Sequence, residues 1–287
     1  ARGLAETDRR IKEGVHTSVA GHLHNIATRY TMYRNPEDAK LFVAVAKRYA
    51  ESAKPDAAKY GGPWGFDSDF RSFQVIAGWD VLEHEPSLSA EERLAVSNML
   101  LRWVNEAIFP GAKIGLDGRG PVTNHLTFAS RGSLLAGLYF SKYYARELPQ
   151  AAVWLDVAKS NFQRQAAAAK VIDDCDSYQW LTWNHLLGYA LALPDDTVFK
   201  NGVAAGMLKM CALTMDNLGF QAPYGDSNGW TSGGGELAVL ELYYCATRDP
   251  LAAAILKIKR AGKKTGPCNF RTALRPDVGE IPAGLQV

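Results

Sequence analysis

The sequence has few cysteines, little excess charge of either sign and no long apolar run. Its 287 residues contain four cysteines and no CxxC pair, which does not fit a zinc ribbon. Lysine and arginine number 32 against 30 acidic residues, so the net charge of +2 lacks the basic excess of nucleic-acid binders. No apolar stretch reaches the roughly 18 residues of a membrane span. We therefore expect neither nucleic acid nor membrane as a partner.

Helical periodicity dominates what is present, and alternating β patterns are scarce. In segment 37–53, Leu41, Val45 and Tyr49 form an apolar stripe at helical spacing. Capping signals open three segments: Asn35 before a proline, Ser89 three residues before a glutamate, and Asp249 before a proline. These signals predict an all-α chain.

The helical segments pair off into about five antiparallel hairpins joined by short turns. The pairs are 22–33 with 37–53, 70–84 with 90–108, 126–145 with 150–170, 184–193 with 197–217, and 235–247 with 249–261. Repeated hairpins bury their apolar faces against neighbouring hairpins, which predicts a toroid or an open solenoid. We expect a single domain over 1–287, an incomplete (α/α) toroid. Residues 1–20 are predicted to be an extended N-terminal segment, in or near which His16, His22 and His24 cluster without forming a metal site.

The stretches between hairpins concentrate polar and aromatic side chains. Loops at one end of a helical array are where a binding site is expected, and aromatic faces with polar groups suit a sugar chain. The candidate substrate-binding residues are Trp64, Arg71, Gln74, Trp180, Tyr224, Asp226 and Trp230.

Three motifs in these stretches resemble the heparinase II/III-like polysaccharide lyases. Asn124-His125 before an apolar helix, the aromatic segment from Asp176 to His185, and Pro223-Tyr-Gly-Asp-Ser are similar to family motifs in order and spacing. Thr123 and Asn184 differ from residues that many relatives carry. The resemblance implies an α/α-toroid lyase that cleaves an acidic polysaccharide by β-elimination, secreted or periplasmic.

The β-elimination of a uronic acid needs residues of the kinds found here. Removing the C5 proton beside an ionised carboxylate requires neutral donors that stabilise the developing charge, for which Asn124 and His125 are suited. A tyrosine or histidine then moves the proton, and Tyr178 and His185 are the candidates, with Tyr224 competing. The reaction requires no metal ion and no cofactor.

Each candidate also has a purely structural interpretation. Asn124 can serve only as a helix cap, His125 and His185 can be packing histidines, and the tryptophans can anchor loops in the core. Arg71 and Gln74, three residues apart, either reach one ligand together or form a local hydrogen bond. The basic run from Lys257 to Lys264 is predicted to be a solvated face at a helix C-terminus.

Two other functions remain open. A glycoside hydrolase on the same scaffold would need two carboxylates about 5–9 Å apart. Its candidates are Asp67, Asp69, Asp176, Asp226 and Glu236. A non-catalytic glycan-binding protein built from helical hairpins would hold the same aromatic and polar residues without a proton-transfer group.

Overall fold

The computed structural model describes residues 2–53, 64, 68–115, 124–168, 175–216, 218–225 and 235–260. Regular structure in these ranges is helical throughout, and the one β feature among them is an isolated bridge between Met215 and Gln221. The predicted all-α class is therefore confirmed, while the closure of the helices into a toroid stays a prediction. Across the same ranges, no helix is both long and apolar enough to traverse a bilayer.

The helices of the described residues are labelled in chain order. They are α1 (Arg2–Lys12), α2 (His16–Tyr33), α3 (Pro36–Ser52), α4 (Ser72–Leu82), α5 (Ala90–Trp103), α6 (Phe109–Ile114), α7 (Asn124–Tyr143), α8 (Ala151–Ala167), α9 (Asp176–Ala192), α10 (Thr197–Lys200), α11 (Val203–Leu213), α12 (Gly235–Thr247) and α13 (Pro250–Arg260). A 3-10 turn (Ser68–Arg71) precedes α4, and a π-helical segment (Val104–Ile108) joins α5 to α6.

The three predicted helix starts are confirmed in atomic detail. The Asn35 side chain accepts a hydrogen bond from the Glu37 amide, and Ser89 forms a reciprocal capping box with Glu92. The Asp249 carboxylate accepts from the amide of Leu251 at 2.8 Å. Each side chain satisfies a backbone donor that the first helical turn would otherwise leave unpaired.

One predicted helix is divided in the structure. The segment 197–217, expected as one helix, divides into α10 and α11 because Gly202 adopts a φ of +86°, which a continuous helix does not allow. The Asn201 side chain then accepts from the Val203 amide at 3.0 Å and restarts the helix. The expected helical segment 90–108 is helical throughout, as α5 followed by the π-helical segment after Trp103.

The N-terminal segment is helical, contrary to the expectation of an extended chain over residues 1–20. Within α1, Glu6 lies between two arginines and pairs with both Arg9 and Arg10 at 2.7 Å. Hydrogen bonds from these guanidinium groups lower the pKa of Glu6 to about 2. Charge pairs at i,i+3 and i,i+4 support this helix, and its apolar residues Leu4 and Ile11 pack against the core of the first unit.

The chain divides into two compact units, the first formed by residues 1–119 and 128–161. In this unit α2 packs against α3 and α4, and α3 packs against α5. Its core is rich in aromatic rings, and the indole of Trp79 donates to the hydroxyl of Tyr139 on α7 at 2.9 Å. The polar groups of these two rings are thus satisfied inside the unit.

The second unit is formed by residues 120–127 and 162–287. There α9 packs against α12, and α12 also contacts α11 and α13. Lys259 on α13 is buried rather than part of a solvated basic face, and its ammonium lies 3.2 Å from the carboxylate of Glu236 on α12. The predicted assignment of 1–287 to one catalytic domain stays a prediction.

Candidate functional site

The first turn of α7 carries two of the predicted catalytic residues and belongs to the second unit. Asn124 is buried, and its side-chain oxygen accepts from the backbone amide of His125 at 2.9 Å. The ring of His125 is half-buried. The Asn124 side chain thus contacts the helix start, as its structural interpretation expects, and this contact is compatible with a further role.

A threonine joins this helix start to His185 on α9. The Thr127 hydroxyl donates to the carbonyl oxygen of Asn124 at 2.7 Å, and it lies 3.1 Å from Nδ1 of His185. A hydroxyl has one proton, and a carbonyl oxygen can only accept, so Thr127 must accept from Nδ1–H. The neutral His185 ring therefore carries its proton on Nδ1, and Nε2 is its basic nitrogen.

Tyr178 lies on the same face of α9 as His185. Positions 178, 182 and 185 follow the i, i+4, i+7 spacing of one helical face. Seven residues span about 10 Å along a helix axis, so the half-buried Tyr178 begins the stripe that His185 ends. The structure therefore brings Asn124, His185 and the Tyr178 face of α9 to one side of the second unit.

Tyr224 contacts α9 on a neighbouring face. Its hydroxyl donates to the side-chain oxygen of Gln179, which lies about a third of a turn away from the Tyr178 and His185 stripe. The segment that ends at residue 225 is thus connected to the start of α9. Asp226 and Trp230, both predicted to bind substrate, lie outside the described residues, as does Asp67.

Two predicted stacking tryptophans are core residues in this structure. Trp64 in the first unit has no exposed surface; its indole nitrogen donates to Glu106 at 2.8 Å and its ring packs on Tyr49 and Trp103. Trp180 is only 2% exposed. A sugar platform needs an open ring face, so the expectation of a platform at these positions is replaced by their role as packing anchors.

Arg71 and Gln74 lie in the first unit, whereas the predicted catalytic residues lie in the second. The Arg71 guanidinium donates to the Gln74 side chain at 2.9 Å, so both side chains do share one face. Arg71 also lines a cavity of about 250 Å³ with Arg10, His22 and Asn25. Burial and the charges of Arg10 and Arg29 lower the pKa of His22. The cavity is cationic and suits an anion.

The carboxylates that a hydrolase would need have no matched pair among the described candidates. Glu236 is paired with Lys259 in the interior of the second unit rather than with a second carboxylate. Asp69 lies in the 3-10 turn of the first unit, and the side chain of Asp176 is outside the described set. Within the described ranges no group of three or more potential ligand residues could hold a metal ion.

Sequence reasoning missed Thr127 and the buried Lys259. Thr127 follows Asn124 by three residues on a helix, so this spacing was a usable signal that both point to one side. No sequence signal separates Lys259 from its basic neighbours, because only the packing of α13 selects which of them is buried.

No family model matches this chain, and no curated protein or solved structure does either.

Proposed function

We propose that this protein is a polysaccharide lyase that cleaves a uronic-acid-containing glycan by β-elimination. The observation that carries the proposal is the hydrogen-bonded chain from the Asn124 carbonyl through Thr127 to His185. It holds a buried imidazole in the tautomer with a basic Nε2, beside a helix start that bears an amide and a second histidine. That combination suits removal of a weakly acidic carbon-bound proton.

Asn124 and His125 act on the substrate carboxylate in this mechanism. Both can donate a hydrogen bond without adding negative charge, so they stabilise the negative charge that develops on the carboxylate as the C5 proton leaves. His185 Nε2 or the Tyr178 hydroxyl takes that proton, the C4–O bond breaks, and the leaving oxygen receives a proton from the same stripe of α9. An electron pair from the C–H bond becomes the C4–C5 double bond.

The Thr127 contact stabilises His185 after it accepts a proton. An imidazolium is costly in a site where the ring is only 3% exposed. Its Nδ1–H donates to the Thr127 oxygen, and the Thr127 hydroxyl donates to a carbonyl oxygen. The negative ends of both dipoles therefore point toward the imidazolium and stabilise its positive charge. Thr127 is thus a positioning residue, and either His185 or Tyr178 is the group we assign to the reacting atoms.

Helix packing supports the proposed toroid. Within the first unit, α2 contacts α4 and α3 contacts α5; in the second, α9 contacts α12. Contacts between helices of successive hairpins are what an array with inner and outer layers requires. The cationic cavity at Arg10 and Arg71 supports an acidic polysaccharide as partner, and an extracellular substrate of this kind implies a secreted or periplasmic protein.

The test is an assay of uronate polymers for the ultraviolet absorbance of the new C4–C5 double bond. We expect absorbance with at least one of alginate, glucuronan and glycosaminoglycans. His185→Asn keeps a donor toward Thr127 but removes Nε2, and Tyr178→Phe removes only a hydroxyl. The variant that lacks the proton-transfer group should lose activity to near background, and Asn124→Ala should lower kcat about 10²–10³-fold.

Three outcomes would replace the proposal. Reducing sugar without absorbance would identify a hydrolase, and Asp226→Asn or Glu236→Gln would then be the inactivating changes. Binding of the polymer with neither product would identify a glycan-binding protein. Full activity in all of His185→Asn, Tyr178→Phe and Asn124→Ala would place the reaction elsewhere in the chain.

A further inference from the structure

The second unit contains a cavity of about 370 Å³ between the end of α8, the middle of α9 and the start of α11. Its volume lies in the range of roughly 300–1,000 Å³ typical of small-molecule sites. Trp183, Leu186 and Met207 supply apolar wall, and none of the described residues that line it carries a charge. It is separate from the Tyr178 and His185 stripe, because its α9 residues, which include Gln179 and Trp183, lie on the neighbouring face of that helix.

Gln165 on α8 is the feature that points to a ligand. It is 6% exposed and lines this cavity, and among the described residues neither atom of its side-chain amide has a hydrogen-bond partner. Leaving a buried amide unpaired is costly, so a bound group that both donates and accepts would compensate. The other amides differ: Asn201 pairs with Ala166 and Val203, and Gln179 accepts from Tyr224.

Two glycines line the mouth of the cavity. Gly202 and Gly206 are exposed, and a Cβ atom added at either position would meet nothing within 4 Å. Gly206 lies inside α11, where glycine weakens a helix and has no conformational purpose. An open approach to a buried, unpaired amide is the arrangement of a binding site.

We propose that this cavity binds one uncharged pyranose ring. Adjacent hydroxyl groups present a donor and an acceptor side by side, which matches both ends of the Gln165 amide. The C–H face of the ring packs on Val203 and Met210, the half-buried apolar residues of the lining. A uronic acid is excluded, since its carboxylate would be buried without a cationic partner. The proposal does not depend on lyase activity, because it concerns different residues and a neutral ligand.

The test measures binding of glucose, galactose, mannose and N-acetylglucosamine by saturation-transfer NMR and calorimetry, with glucuronic acid as the charged counterpart. We expect saturable binding of at least one neutral sugar and at least tenfold weaker binding of glucuronic acid. Gln165→Met keeps the side-chain volume and removes the amide, so it should weaken binding at least tenfold and raise the unfolding midpoint. Gln163→Met, exposed on the same helix, should leave binding unchanged.

Gly206→Leu gives a second test that does not disturb Gln165. A leucine at this helical position enters the open mouth and favours the helix, so the protein should stay folded and lose sugar binding at least tenfold. The proposal is overturned by three results: no neutral sugar binds, binding survives Gln165→Met and Gly206→Leu, or glucuronic acid binds as well as the neutral sugars. A lowered unfolding midpoint in Gln165→Met would also contradict it.

Discussion

Thr127 is predicted to determine which nitrogen of His185 carries the proton. Thr127→Val keeps the shape of the side chain and removes the acceptor of Nδ1–H, at a cost of about 1–3 kcal/mol of stability. Nitrogen NMR of the imidazole should show the Nδ1–H form in the wild type and a mixture of tautomers in the variant. Thr127→Ser retains the hydroxyl and should keep the wild-type spectrum; an unchanged spectrum in Thr127→Val would contradict the assignment.

Lys259 and Glu236 are predicted to depend on each other for stability. Both side chains are at most 3% exposed, and Lys259 also donates to the Gly219 carbonyl and to Gln221. Lys259→Met leaves a buried carboxylate without its counter-charge, which typically costs about 3–5 kcal/mol. In urea unfolding, Lys259→Met with Glu236→Leu should lose less than the sum of the two single variants. Strict additivity would show that the pair is not coupled.

For individual residues, the sequence identifies candidates for chemistry, but it does not predict which side chains are buried. Asn124 and His185 were candidates from their residue types and order, and Thr127 connects them. Gln165 and Lys259 carried no signal, because one amide or one lysine on a helix reads as a solvated side chain until its neighbours are known. Burial depends on which helices pack together, and these helices are distant from one another in the sequence.

Among the helices, α7 and α8 are predicted to need Gly137 for their close approach. A Cβ atom at Gly137 would lie 2.8 Å from the backbone nitrogen of Leu155, which cannot move aside as a side chain could. Gly137→Ala should therefore lower the free energy of unfolding by about 1–3 kcal/mol. Gly21→Ala, in α2 with nothing within 4 Å, should raise it by about 0.5–1 kcal/mol. Equal effects in urea unfolding would refute the packing argument.

The contact between α1 and α2 is predicted to weaken in acid. The Thr7 hydroxyl donates to the Gly3 carbonyl, so it accepts from Nδ1–H of His22, whose pKa is lowered below 6.5 by burial and by nearby arginines. Below pH 6.5 the unfolded chain binds a proton that the folded protein resists, so stability falls as pH falls. Glu6, with a pKa of about 2, stays ionised in this range.

His22→Asn is the matched variant, since an amide replaces Nδ1–H and does not titrate. The loss of unfolding free energy between pH 7.5 and 5.5, measured in urea, should be smaller in the variant than in the wild type. The other histidines titrate equally in both proteins and drop out of the comparison. An identical loss in the two proteins would show that His22 does not contribute.

Helix starts were predictable because a capping side chain and the amide that it caps are close in sequence. Asn35, Ser89 and Asp249 each satisfy backbone donors within three residues, so sequence alone contains the whole interaction. The break at Gly202 and the π-helical turn after Trp103 were not predictable, since a glycine or a polar stretch is tolerated inside many helices. Local chemistry marks where helices begin better than where they stop.

For the whole molecule, apolar periodicity and the scarcity of β patterns were sufficient to predict an all-helical chain. They could not predict that the first turn of α7 belongs to one compact unit and the rest of that helix to the other. That division depends on which side chains meet, such as Thr127 with His185 and Tyr139 with Trp79. The packing of the helices could therefore be determined only from the structure.

Two cysteines of the second unit are predicted to react as thiols. Among the described residues, Cys211 and Cys245 form no disulfide. In denaturant without reductant, a thiol reagent should therefore titrate at least these two groups per chain. Loss of either group from the count would contradict the prediction.

In the native protein the same reagent should separate these thiols by rate. Cys245 is exposed and should react fast, whereas Cys211 is buried and desolvation raises its pKa to about 12, so little thiolate forms. Cys245→Ser should remove one thiol from the fast phase and leave the slow phase intact. Because Cys211 lies in the interior of the second unit, its reaction rate should rise with urea along the unfolding transition. Fast reaction of Cys211 without denaturant would contradict this burial.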